Sequence, residues 1–132
     1  MSKHLRVISA TATPKCSVTL EMDVLPNYGN RMDNMHGGAV ALVFDMCTTM
    51  CTGPIAKKDF WWFGGVSRKL DVTYLRPVKV GSTIVIECEV LQIGRRLATI
   101  RGVIRDKEDK RILAVGEHNK ASIEFVEEGS KM

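Results

Sequence analysis

A single carboxylate sits in the middle of the most apolar stretch of this chain. Residues Ala39 to Thr52 read AVALVFDMCTTMCT, and Asp45 is their one charge. A buried carboxylate is costly unless it is paired, protonated or turned to a polar cavity. Two readings stay open from the burial pattern: a structural Asp that caps a loop or pairs with an arginine, and a catalytic one. Just upstream, His36-Gly37-Gly38 stand where a helix would begin. Free backbone N–H groups and the positive end of the helix dipole meet there, and without side chains the backbone can approach a ligand oxygen closely. That describes an oxyanion hole or anion site, or else an ordinary tight entry turn. His36 reads more readily as a residue packed at the helix start than as a base. His4 and His118 show no partner in the sequence.

The helix that carries Asp45 is too short to span a bilayer, which takes about 20 apolar residues. Its apolar character on every side predicts burial inside a domain, and Gly53-Pro54 stops it. Strands supply the rest. Leu5 to Ala12 reads as the first. From Cys16 to Val24 the alternation is strict, with Cys16, Val18, Leu20, Met22 and Val24 on one face, as a half-buried strand requires. A turn-rich segment, Leu25 to Asn34, leads to the helix. A loop from Ile55 to Gly65 follows it and holds Phe60-Trp61-Trp62-Phe63. Then come strands over Val66 to Arg76, Thr83 to Ile93, Leu97 to Arg105 and Ile112 to Phe125, with a turn at Gly94-Arg95-Arg96 and a charged tip from Asp106 to Lys110. The order β-β-α-β-β-β-β predicts an α+β domain, an antiparallel sheet curled around one apolar helix. The second side of such a helix needs another subunit to cover it.

The 132 residues are one domain's worth, expected as a single unit over 1–132. A content of 45% hydrophobic and 26% charged residues excludes a disordered or collagen-like chain. Lys and Arg total 19 against 15 Asp and Glu, a net charge of +4. That balance suits anionic partners such as phosphates, while no basic run is long enough for a nucleic-acid arm. Cys16, Cys47, Cys51 and Cys88 form no CxxC pair, so they read as small core hydrophobes in a reducing compartment. Cys47 and Cys51 lack a matching His or Cys pair, and no metal is expected. Met1 to Ala12 lacks a secretory apolar core. The expected compartment is the cytoplasm, with Lys3, Arg6 and the small residues near them leaving a mitochondrial one open.

Taken together, Asn30, then His36-Gly37-Gly38, Asp45, Gly65-Val66-Ser67 and Asp71-Val72-Thr73-Tyr74-Leu75-Arg76-Pro77 resemble the hotdog-fold acyl-CoA thioesterases. The likeness is greatest to the small thioesterase-superfamily member 13 type and its bacterial phenylacetate-pathway relatives, and it runs from about Leu5 to Ser122. Two departures stand out: a longer loop between the helix and Ser67, and a start almost at the first strand, without the N-terminal helix common in those relatives. The resemblance implies a hotdog fold, an antiparallel sheet wrapped around one long central helix, and hydrolysis of an acyl-CoA with no cofactor. It implies Asp45 as general base or nucleophile, the Gly37 amide as holder of the thioester oxygen, Asn30 and His36 shaping that pocket, and Ser67 orienting the water. The relatives hold coenzyme A along the regions that here carry Tyr74, Arg76, Lys79, Arg95 and Arg96. The implied assembly is a homodimer, paired again into a tetramer, with no nucleic-acid or membrane partner. Two rivals stand beside this reading. A hotdog hydratase is disfavoured because Asp45 has no His within a helical turn. A non-catalytic acyl-CoA-binding protein is the rival from another class.

Overall fold

The computed structural model describes residues 5–12, 16–30, 32–53 and 65–122. Six strands, β1 (Leu5–Thr11), β2 (Ser17–Asp23), β3 (Val66–Tyr74), β4 (Thr83–Ile93), β5 (Leu97–Asp106) and β6 (Ile112–Ala121), form one sheet in the order β1-β2-β4-β5-β6-β3. Every neighbouring pair is antiparallel. The alternation read in the sequence becomes alternating burial: Val18, Leu20 and Met22 in β2, and Ala98, Ile100, Gly102 and Ile104 in β5, all face inward. β6 closes at Ala121, and residues 123–125 of the expected strand lie outside the described residues. So do His4 and the aromatic run Phe60 to Phe63.

One helix, α1 (Gly37–Met50), lies on the inner face of this sheet. It starts two residues earlier than the apolar run predicts, because Gly37 and Gly38 already belong to its first turn. It ends two residues sooner, where the N–H of Thr52 donates to the Thr49 carbonyl and tightens the last turn. Val40, Val43, Phe44, Cys47 and Thr48 are buried against the sheet. The opposite side is not buried: Leu42 is 45% and Met50 40% exposed. The sheet buries the apolar run on one side, and the second side, expected to need another subunit, is the open one. A sheet covers one side of a helix, and within one chain nothing described covers the other.

Two glycines set how closely the helix approaches. Gly102 of β5 and Gly116 of β6 are cross-strand partners. A Cβ at Gly102 would stand 2.8 Å from Phe44 Cδ1, and one at Gly116 would stand 3.0 Å from it. The bare backbone of the pair is the floor on which the Phe44 ring rests. The helix runs antiparallel to β3. Tyr74 Oη donates to the Gly37 carbonyl at 2.7 Å at one end, and Thr48 meets His118 of β6 towards the other. All four cysteines are buried free thiols. Burial pushes the Cys47 and Cys51 thiols up to about 12 and Cys88 higher still, so they behave as inert core residues.

Candidate active site

Asp45 faces the open side of α1, its side chain 46% exposed. The carboxylate that the sequence places inside an apolar helix is therefore at the edge of the core, within reach of a ligand. Beside it lies His118, a residue the sequence left without a role. His118 is completely buried on the inner face of β6. Its Nδ1 is 2.7 Å from Thr48 Oγ1, its Nε2 is 2.7 Å from Ser67 Oγ and 3.8 Å from Asp45 Oδ1.

The hydrogen inventory fixes the tautomer. Thr48 donates its one hydroxyl hydrogen to the Phe44 carbonyl at 2.6 Å, so towards His118 it can only accept. Nδ1 therefore carries the imidazole hydrogen and Nε2 is the acceptor. Ser67 fills that acceptor with its own hydroxyl hydrogen, since Asp45 Oδ1, the competing acceptor, stands farther off at 3.5 Å. What Ser67 still offers is lone pairs.

Ser67 reaches this face through an irregularity. Leu70 and Val72 are the inward, half-buried residues of β3, and strict alternation would turn Ser67 outward. The register with β6 slips between Ser67 and Lys69, so that Ser67 pairs with Lys120 and Leu70 with His118. This bulge puts Ser67 on the same face as both. Lys120 is buried at 3% exposure, and its Nζ donates to Thr49 Oγ1 at 2.7 Å. Thr49 in turn donates to the Asp45 carbonyl at 2.7 Å. Burial holds the His118 imidazole below its usual range, reinforced by the Lys120 charge and opposed by Asp45. Burial likewise holds Lys120 below the usual lysine range, again opposed by Asp45.

The other predicted residues fall at the far end of the helix. His36 is the residue before the first turn; it is exposed, and no side chain caps the helix start. Asn30 Oδ1 accepts the N–H groups of Met32 (2.8 Å) and Asn34 (3.2 Å), which fixes the amide orientation and leaves its NH2 hydrogens as donors. Asn34 bridges Lys79, so Lys79 lies beside this loop. Tyr74, expected along the coenzyme A region, holds the Gly37 carbonyl. Arg76 donates to the Ile112 carbonyl at 2.7 Å. Arg95 and Arg96 are exposed in the β4–β5 turn, where the Arg96 carbonyl accepts the Ser122 N–H at the opposite end of β6 and β3.

One chain therefore brings Asp45, Ser67, His118 and Lys120 together, and separately Asn30, His36, Gly37 and Tyr74. It does not unite the five expected coenzyme A residues. Tyr74, Arg76 and Lys79 lie about 25–30 Å from Arg95 and Arg96 along β3. The sequence does carry a signal for the missed pair: His118 and Lys120 occupy the same alternating positions as Ala114 and Gly116, polar residues on an inward face. The argument against a hydratase, that Asp45 lacks a nearby His, holds only along the helix, because the fold supplies His118 from β6.

An antiparallel sheet lying on one long helix is the arrangement of the hotdog fold. Residues 32–113 match the thioesterase superfamily, and the chain belongs to it. The chain is similar to acyl-coenzyme A thioesterase 13 of Mus musculus, 31% identical over 118 residues that span 87% of this chain and 79% of that protein. Zebrafish thioesterase superfamily member 2 superposes with a TM-score of 0.80 at 31% identity, covering 90% of this chain and 81% of that one. The E. coli PaaI protein from the phenylacetic acid degradation operon shares the fold, with a TM-score of 0.74 at 17% identity over 89% of this chain and 82% of its own. The comparisons thus agree with the hotdog thioesterase expectation.

Proposed function

We propose that this thioesterase hydrolyses an acyl-CoA to the free acid and coenzyme A, with Asp45 as general base. The observation that carries this reading is the hydrogen inventory around Ser67. A water between Asp45 and Ser67 meets two acceptors, the carboxylate and the Ser67 lone pairs. Both of its hydrogens are then held and a lone pair is left for the thioester carbon. As the water oxygen bonds to that carbon, its proton passes to Asp45 and the carbonyl electrons move to oxygen. The Gly37 N–H and the Asn30 amide stabilise that oxyanion. Collapse breaks the C–S bond, and the proton on Asp45 passes to the departing thiolate, so the base is restored. The similarity to acyl-coenzyme A thioesterase 13 supports coenzyme A as the thiol. A non-catalytic acyl-CoA-binding protein would have no use for an acceptor pair aimed at one water.

The site is completed by a second copy. Gly37 and Asp45 lie eight residues apart on one helix, about 12 Å along its axis, whereas the attacked carbon must sit about 3–3.5 Å from the water while its oxygen reaches the amide. Two antiparallel helices about a two-fold axis set Gly37 of one chain against Asp45 of the other. The exposed Leu42 and Met50 supply the apolar face for that pairing. The same axis carries the Arg76 and Lys79 end of one chain to the Arg95 and Arg96 end of its partner, which reunites the cations that one chain holds apart.

The test is a panel of acyl-CoAs with detection of the free thiol, run on the wild type and on Asp45→Asn. The variant keeps the size of the side chain and loses about 10²–10⁴-fold in turnover. Near-wild-type turnover would remove Asp45 from the mechanism, and no thiol from any acyl-CoA would favour the binding protein.

A further inference from the structure

Lys120 is a buried ammonium with little structural return. Its nitrogen has one hydrogen-bond partner among the described residues, the Thr49 hydroxyl, and no described carboxylate oxygen lies within salt-bridge distance. Exchanging such a charge for an apolar side chain of similar length is commonly neutral or stabilising for a fold. Its position, however, is particular. It stands two residues from His118 on the same inward face of β6 and directly across from Ser67.

The groups facing His118 come from four elements. α1 brings Asp45, its carboxylate 3.8 Å from Nε2. β6 itself brings Lys120. β5 presents Ile100 opposite His118 and Ala98 opposite Lys120, both uncharged. β3 presents Leu70 and Ser67, while its Arg68 and Lys69 are exposed. The imidazole thus stands between one negative and one positive group. Asp45 favours a proton on Nε2, while burial and the Lys120 charge oppose it. The consequence follows from the hydrogen inventory. A protonated Nε2 must donate to Ser67, the Ser67 hydrogen must then turn away, and its nearest alternative acceptor is Asp45 Oδ1 at 3.5 Å. Each member of the acceptor pair would then give up a lone pair, Ser67 to the Nε2–H and Asp45 Oδ1 to the Ser67 hydroxyl, and the carboxylate would face a cation.

We infer that Lys120 is a positioning residue of this site: its ammonium, on the same inward face as His118 and across from Ser67, opposes a proton on Nε2, and thereby keeps the Ser67 hydroxyl hydrogen on Nε2 and both Ser67 lone pairs open to the water. The inference rests on the reading of Asp45 and Ser67 as the water's two acceptors. It extends that reading by assigning a role to a residue that touches neither water nor substrate. The low position of the His118 imidazole, to which the Lys120 charge contributes after burial, agrees with it.

The experiment compares the wild type with Lys120→Met and Lys120→Arg in two readouts. One is the pH profile of kcat/KM on an acyl-CoA that the wild type cleaves. The other is the NMR titration of the His118 ring, identified by its absence in His118→Gln. In Lys120→Met the His118 midpoint is expected to rise and the acid limb of the profile to follow it. The fold-loss at pH 6 should exceed the fold-loss at pH 8.5. Lys120→Arg, which keeps the charge, should return both towards the wild type. If Lys120→Met does not fold, Lys120→Gln serves the same comparison. A His118 midpoint that stays in place, with activity lowered equally at every pH, overturns the inference and leaves Lys120 a packing residue. Failure of the underlying reading looks different: Asp45→Asn or Ser67→Ala would stay active while the His118 midpoint still moved in Lys120→Met.

Discussion

The one hydroxyl hydrogen of Ser67 has two destinations, His118 Nε2 at 2.7 Å and Asp45 Oδ1 at 3.5 Å. Which it takes depends on whether the imidazole is neutral or charged, and the proposed mechanism turns on that charge. That charge also bears on stability. The folded-state value of His118 lies below its unfolded value of about 6.5, so the unfolded chain binds the proton more readily. The stabilising difference is therefore complete above about pH 6.5 and is lost as pH falls from there through the lower folded value. Melting temperatures measured from pH 8 down to pH 5 should decline more steeply in the wild type than in His118→Gln. Equal slopes would mean that the ring titrates alike in both states.

At the scale of the element, the position of Asp45 depends on the packing beneath its helix. Phe44 precedes it in α1, and the Phe44 ring lies on the bare backbones of Gly102 and Gly116. A methyl group on either floor residue must push the ring, and the helix with it, away from the sheet. Gly116→Ala is expected to cost about 1–3 kcal/mol, as overpacking does, and to lower turnover by moving Asp45 relative to Ser67. Adding Phe44→Leu should recover part of the stability, because the two changes act on one contact. Denaturant titration of the two single variants and the double variant measures this directly. Simple additivity would show that the glycines are not the floor. The bulge in β3 is the second such device, since without the slipped register Ser67 would face outward.

At the scale of the whole molecule, the helix separates what the reaction must join. Gly37 and Asp45 are on one element, and the proposed reaction has a two-fold partner bring them into one site. The measurement is complementation. Asp45→Asn and Asn30→Ala, each inactive alone, are refolded together in equal amounts. A mixed dimer carries both lesions in one of its sites and neither in the other, so random mixing should restore roughly a quarter of wild-type activity. No recovery, with exchange of chains confirmed by mass spectrometry, would mean that each chain builds its own site. A charge placed on the open helix face by Leu42→Glu should likewise lower the dimer fraction in sedimentation.

Features with a local cause are legible along the chain. Period-two alternation marks the strands because successive side chains point to opposite faces. The apolar run marks the helix, and an isolated carboxylate or a glycine pair at a helix start is conspicuous against that background. The limits of α1 were legible to within two residues, and Asp45, Gly37 and Ser67 were named from pattern and resemblance. His118 and Lys120 were not, because their partners are distant along the chain. Thr48 lies 70 residues from His118, and the alternating positions of His118 and Lys120 in β6 signal an inward face without signalling what it meets. The inward turn of Ser67 depends on a slipped register between two strands, the open face of α1 on how far one sheet can wrap, and the division of the cationic residues on the length of β3. Each of these is a property of packing between remote segments, and only the tertiary structure decided them.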